Sequence, residues 1–322
     1  MKNLVCLTVL ACLFLSCKNE QKSDSDKDTA QHEPVVFDGI TPSIKPGDDF
    51  FHHVNKTWYD NAVIAEDQIG VGAYRFLNIP QQELLKNILT EVSEAEHAKG
   101  SVEQLVGDFY ASGMDTVSIN ERGATPIQPM LAKIDNINDV PGIMEYVANQ
   151  MKMGDFSMVA PYISADQKNS SMNILHLSQT GLGLPDRDYY FKEDPSVIEI
   201  QNAYKTYLTK LFELTGDANA EANAATVYAI EKKLAESHKT RIERRVVTEN
   251  YHKMAVSELN KSHGNIDWPT FFEMIGTNID SLDVRQPAYY DKLNNMLVSV
   301  PVADWKVYLK THTLSSYDGL LS

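Results

Sequence analysis

Between Asp48 and Leu321 the apolar residues recur at helical spacing in segment after segment, and the period falls to two in one region only, residues 155–180. Stripes that repeat every three to four residues are buried by packing helix against helix, whereas strict alternation buries one face of a sheet. The chain therefore reads as mainly α, a multi-helix domain with one small β-hairpin. The hairpin strands are DFSMVAPYISAD, from Asp155, and SMNILHLSQT, from Ser171, separated by Gln167-Lys-Asn-Ser.

Ahead of the hairpin, Asp48 or Asp49 is placed to cap a helix carrying Phe50, Phe51, Val54, Trp58 and Tyr59. A second helix is expected over residues 81–96, with Leu84, Leu85, Ile88, Leu89 and Val92 in one stripe and Pro80 in its first turn, where a missing N–H is harmless. Residues 102–109, 130–134 and 140–151 continue the pattern. Behind the hairpin, helices are expected over 197–214, 220–238, 255–259, 268–275, 289–298 and 304–321, with 282–285 as a short extended piece. No 34-residue repeat is present.

A chain of 322 residues buries a large core without covalent staples. Its cysteines impose the same conclusion, because Cys6, Cys12 and Cys17 all precede Lys18 and leave the body without a disulfide framework. The net charge of -15 argues against a nucleic-acid partner, which would require clustered cations to displace counterions.

The N-terminus has its own logic. After Met1-Lys2-Asn3 an apolar run reaches Leu15, too short for a typical membrane span and of the length of a secretory h-region. Ser16-Cys17 closes it and a polar tail, KNEQKSDSDKDTAQHE, follows. This resembles a bacterial lipoprotein signal with Cys17 as the lipidated residue. Cys12 competes through its Val-Leu-Ala context, but cleavage there would leave Leu13, Phe14 and Leu15 in the mature linker, so Cys17 is favoured. Each buried acyl CH2 contributes about 0.8 kcal/mol to membrane anchoring. The expected organisation is a signal over 1–17, a polar tether over 18–36 and a helical domain over 37–322, carried on a bacterial cell envelope and facing the periplasm or the surface.

Chemistry-bearing motifs are scarce. His32-Glu33 begins an HExxH zinc pattern, but Val36 stands where the second histidine belongs. His52 and His53 are adjacent and diverge by about 100° on a helix, and His176 on a strand reads as a packed or hydrogen-bonded side chain. No metal site and no catalytic residue is assigned. There is no GxSxG elbow and no body cysteine to act as a nucleophile. Glu231 and Glu236 read as the solvated face of a charged helix; Arg241, Arg244 and Arg245 form a basic knot that could bind an anion, with pairing to internal carboxylates the favoured reading. In GLGLPDRDYYF, from Gly181, a dinucleotide fingerprint would need glycine where Asp186 stands, so a phosphate cradle is rejected. The stretch reads as a turn: Gly181 and Gly183 permit a close bend, and Pro185 fixes it. Asp186, Arg187 and Asp188 cap or pair locally, while Tyr189, Tyr190 and Phe191 anchor it against helices.

Taken together, the segments resemble the neprilysin family of zinc metalloendopeptidases. DDFFHHVNKTW, residues 48–58, is similar to the family's DDFYxxVNGxW, and GLGLPDRDYY, residues 181–190, is a near-complete match to a family signature. Ile230-Glu231 to Ala235, Arg244-Arg245 with Tyr251 and Lys253-Met254, Asp267-Trp268, and Pro287 to Leu293 follow in family order. Lys56-Thr57, Val246 and His252 depart from the family pattern. Near Gly70 some members carry an arginine that holds the substrate's carboxylate end; this chain has Gly70 there, so that role is not carried over, to Arg75 or elsewhere.

The resemblance implies the N-terminal part of a two-domain peptidase, in which a largely helical domain closes a chamber against a thermolysin-like catalytic domain and restricts substrates to small peptides. It also implies zinc in the full-length enzyme. The HExxH helix and third ligand of that enzyme lie C-terminal to everything matched here, so the chain is expected to be a truncated portion that lacks the catalytic domain and is inactive alone. The competing expectation is a standalone helical envelope lipoprotein that binds peptides or glycans.

Overall fold

The structure, a computed structural model, describes residues 40–66 and 68–321; Cys12, Cys17 and the expected signal and tether lie outside them. The chain divides into two compact units, one ending at Glu91 and one beginning at Val92.

In the first unit, helix α1 (Phe50–Asn61) starts where the Asp49 carboxylate accepts the His52 amide at 2.9 Å. Helix α2 (Ala73–Glu94), whose last three residues fall beyond this unit, begins eight residues earlier than the sequence suggests, so Pro80 lies in its interior instead of its first turn. The Phe76 carbonyl thereby loses its intrahelical donor, a loss that water offsets because Phe76 and Pro80 are both exposed. Neither α1 nor α2 contains a buried residue.

The second unit holds the core. Helices α3 (Val102–Met114), α4 (Thr116–Arg122), α5 (Gln128–Asp135) and α6 (Val140–Met151) lead to the hairpin. Asp139 caps α6 by accepting the Gly142 amide, and its helical stripe buries Ile143, Met144, Val147 and Met151. Strands β1 (Ala160–Asp166) and β2 (Asn169–Ser178) pair antiparallel from Ala160 opposite Ser178. A single turn, α7 (Asp188–Phe191), then precedes the packed pair α8 (Pro195–Leu214) and α9 (Ala220–Ala235).

The hairpin does not stand alone. Strand β3 (Lys253–Ala255), helices α10 (Val256–Ser262) and α11 (Trp268–Met274), and strand β4 (Ser281–Val284) extend it to a four-stranded sheet of order β1-β2-β4-β3. β4 runs parallel to β2 and antiparallel to β3. Leu282, Asp283 and Val284 are all fully buried, as expected of a parallel strand covered on both faces. Such a strand shows no alternation to find in the sequence.

Helices α12 (Pro287–Ser299) and α13 (Val302–Tyr317) close the unit and supply Tyr289, Tyr290, Trp305 and Tyr308 to the core. A buried hydroxyl needs a partner, and these find theirs around the hairpin. Tyr289 donates to the Met158 carbonyl at 2.7 Å and Tyr290 to that of Ser178 at 2.9 Å. Tyr308 donates to the carbonyls of Ser157, at 2.7 Å, and Gly181, at 3.0 Å. The core thus fixes the chain where it enters β1 and where it leaves β2, and sets the entry into the GLGLPDRDYY segment.

Candidate functional site

Gly181 opens that segment with a φ of 91°, where a Cβ would lie 2.8 Å from the Tyr308 hydroxyl and 2.9 Å from the Ser157 carbonyl. Only glycine combines that backbone with that approach. A Cβ on Gly183 would fall on the ring and hydroxyl of Tyr204. Asp186 accepts the Asp188 amide at 2.9 Å, an Asx turn, and Arg187 and Asp188 face each other at 3.8 Å. Pro185 is exposed.

The three aromatics divide. Tyr190 is buried, receives the Leu184 amide at 3.1 Å and donates to Glu231 at 2.9 Å. Tyr189 is half-buried. Phe191 is exposed, with the cations of Arg187 and Lys232 over its ring.

Glu231 overturns the solvated-face reading of α9. It is fully buried and accepts hydroxyls from both Tyr190 and Tyr204, with His312 Nε2 at 3.5 Å. Glu236, by contrast, is an outer residue paired with Lys292. Burial, followed by the Glu231 charge, pushes the hydroxyls of Tyr190 and Tyr204 far above the ordinary tyrosine pKa, so both remain donors. This cluster, centred on the buried Glu231, holds the turn.

The open site lies at the end of the sheet. A cavity of about 440 Å³ is lined by Arg241, Arg244 and Arg245 from the stretch after α9, by Tyr162 and Ser178 from the hairpin, and by Arg285 and Gln286 beyond β4. Gln286 bolts these pieces together: its side-chain oxygen receives the Gln179 amide at 2.9 Å and its nitrogen donates to Asn250 at 2.9 Å. Asn250 in turn donates to the carbonyls of Glu243 and Val246, each at 2.7 Å, holding the arginine-bearing turns in place.

The expected pairing of Arg241, Arg244 and Arg245 with internal carboxylates is not found among the described residues, where the arginine ion pairs are Arg187–Asp188 and Arg285–Asp283. The neighbouring carboxylate is committed elsewhere: Glu243 turns back to accept both the amide and the hydroxyl of Thr240 at 2.7 Å. All three arginines are exposed.

Beneath the cavity Asp283 accepts the His252 amide at 2.6 Å and the His176 ring at 2.8 Å, and Arg285 Nε stands 3.8 Å away. Arg285 also donates to the Tyr162 hydroxyl at 3.1 Å, and the Tyr162 ring stacks on His176 with centroids 4.8 Å apart. Arg285, Tyr162 and Gln286 carried no sequence signal for this site, since Tyr162 lies more than 120 positions from the adjacent Arg285 and Gln286 and the three belong to no shared motif.

Among the described residues no group of three His, Cys, Asp or Glu side chains could hold a metal ion. His52 spends its ring N–H on Asp49 and His53 on the Ile44 carbonyl, each at 2.6 Å.

With these elements in place, the kinship is specific. The N-terminal model of Peptidase family M13 matches residues 46–322, and the chain belongs to that family, the neprilysin-type peptidases. Its relatives include endothelin-converting enzyme 1 of Cavia porcellus, 28% identical over 275 residues, covering 80% of this chain and 35% of the relative. Neprilysin-3 of Drosophila melanogaster is 26% identical over 286 residues, covering 82% and 36%. Among solved structures, the zinc metalloprotease Zmp1 of Mycobacterium tuberculosis in complex with inhibitor superposes with a TM-score of 0.81 at 27% identity, over 89% of this chain and 44% of that one. PepO from Lactobacillus rhamnosis shares the fold, with a TM-score of 0.73 at 18% identity over 87% of this chain and 44% of that one. The chain thus spans about a third of the length of the curated relatives it matches.

Proposed function

We propose that this chain is the noncatalytic N-terminal region of an extracytoplasmic zinc endopeptidase, supplying the wall and gate of a chamber in which small peptides are hydrolysed. The observation that carries the reading is the family match over 46–322 by a chain that covers only 35% of the first relative. Metal-assisted hydrolysis requires a water acidified and a carbonyl polarised by the ion. The reading assigns the zinc ligands to the part of such an enzyme that this chain does not span. The chain's own contribution is steric and electrostatic: its packed helices and the arginine-lined cleft. Attachment to a bacterial envelope through acylated Cys17 completes the proposal.

The test compares the purified chain with the same chain joined to a family catalytic half, both given zinc. Chelator-sensitive cleavage of a short neutral peptide is expected from the joined protein only, and cleavage by the chain alone would overturn the assignment. Mass spectrometry of the mature N-terminus from a bacterial host should show acyl groups on Cys17; a mature chain without them would sink the anchor.

A further inference from the structure

We propose that the cleft between the sheet end and the arginine turns binds acidic peptides, with Arg241, Arg244, Arg245 and Arg285 as its carboxylate-recognising groups. The proposal deepens the peptidase reading and rests on it for the choice of a peptide as ligand.

The charge of the site runs against that of the molecule. A chain of net charge -15 gathers four guanidinium groups around one cavity. Three have no carboxylate partner among the described residues, and the fourth has Asp283 only at 3.8 Å. Like charges so close repel one another, and a nearby carboxylate would ordinarily relieve this. Glu243, the acidic residue placed between Arg241 and Arg244, instead caps Thr240. The cations are held without neutralisation by a frame fully occupied in holding them, the Gln286–Asn250 amide pair and the carbonyls it gathers.

Guanidinium forks match the two oxygens of a carboxylate, and Arg285 Nε is a buried donor with no hydrogen-bond partner. A cavity of about 440 Å³ lies within the range of small-ligand sites. It is too small for an extended polyanion, whereas an acidic side chain on a short peptide enters with its charge focused on the cleft. Tyr162, fixed by stacking on His176, and Ser178 add hydroxyls at the rim.

The experiment uses the whole chain and two fluorescein-labelled pentapeptides, Gly-Glu-Glu-Glu-Gly and its Gln analogue, read by anisotropy at low salt. The Glu peptide should bind at least ten-fold more tightly than the Gln peptide, and weaken several-fold at 0.3 M salt as screening sets in. Arg244→Gln with Arg245→Gln should remove at least ten-fold of that affinity with an unchanged melting temperature, both side chains being exposed; Lys210→Gln, a distant basic change, should remove none. Equal binding of the two peptides, or undiminished binding by the double variant, overturns the proposal. Displacement by inorganic phosphate at concentrations equal to the peptide's would identify a site for small free oxyanions and overturn it also. Cleavage of a neutral peptide by the joined enzyme is read separately, so failure of the peptidase reading is not confused with failure of the cleft.

Discussion

Gly183 shows how much of a signature residue's role is packing. Its backbone is not in the left-handed region, yet the Tyr204 hydroxyl occupies the space a methyl group would need. That hydroxyl also reaches both Glu231 oxygens at 2.9 Å, so displacing it unpairs a buried carboxylate. Gly183→Ala should therefore cost about 2–4 kcal/mol, overpacking plus a weakened buried hydrogen bond, visible as a lower urea midpoint at constant m. His238 gives the pH counterpart. Burial, with Arg244 and Arg187 adding to it against a bond to the Thr180 carbonyl, pushes its imidazole down to about 4. An unfolded histidine titrates near 6.5. Between those values the unfolded chain binds a proton that the folded chain refuses, so stability falls as pH drops from about 6.5 to about 4 and this contribution is lost below that. The full effect is about 3 kcal/mol, and His238→Gln should flatten that part of a pH–melting curve. At this scale the sequence is unevenly informative. The turn chemistry of Gly181, Asp186 and Tyr190 was legible because it is local. Glu231 was not, because its partners Tyr190 and Tyr204 lie 41 and 27 residues away while its neighbours Lys232 and Lys233 imitate a solvated face.

Elements were legible in proportion to their length and periodicity. α6 has the bounds its stripe announced, and α8, α12 and α13 differ by a few residues at their ends. β3, with three residues, offered no pattern to recognise, and β4 showed only as the short extended piece expected over 282–285, without its partners. α2 misled for a different reason: proline is favoured in a first turn, but an exposed helix passes through one when water can serve the freed carbonyl. The remaining cost is open to measurement. Pro80→Ala should stabilise α2 locally by about 1–3 kcal/mol, seen as slower amide hydrogen exchange across Ala73–Glu94; unchanged exchange would mean the helix is already relaxed around Pro80. The arginine cleft belongs to this scale too. Its basic knot was visible as residues, but its openness depends on Glu243 capping Thr240 and on Gln286 joining Asn250 across the sheet end, neither of which a spacing reveals.

For the molecule as a whole, the order of family segments carried the identification, and composition carried little beyond an argument against a nucleic-acid partner. What no local reading supplied was closure of the sheet. Its inner pairing joins β2 to β4, and the buried contact between His176 and Asp283 spans 107 residues. During synthesis, β1 and β2 leave the ribosome as a finished hairpin whose inner edge has no partner until Ser281–Val284 has also emerged. A nascent chain halted in that interval exposes an unpaired strand edge, the kind of surface that recruits other strands. Chaperone engagement should therefore be needed most in that interval and should decline once β4 has docked.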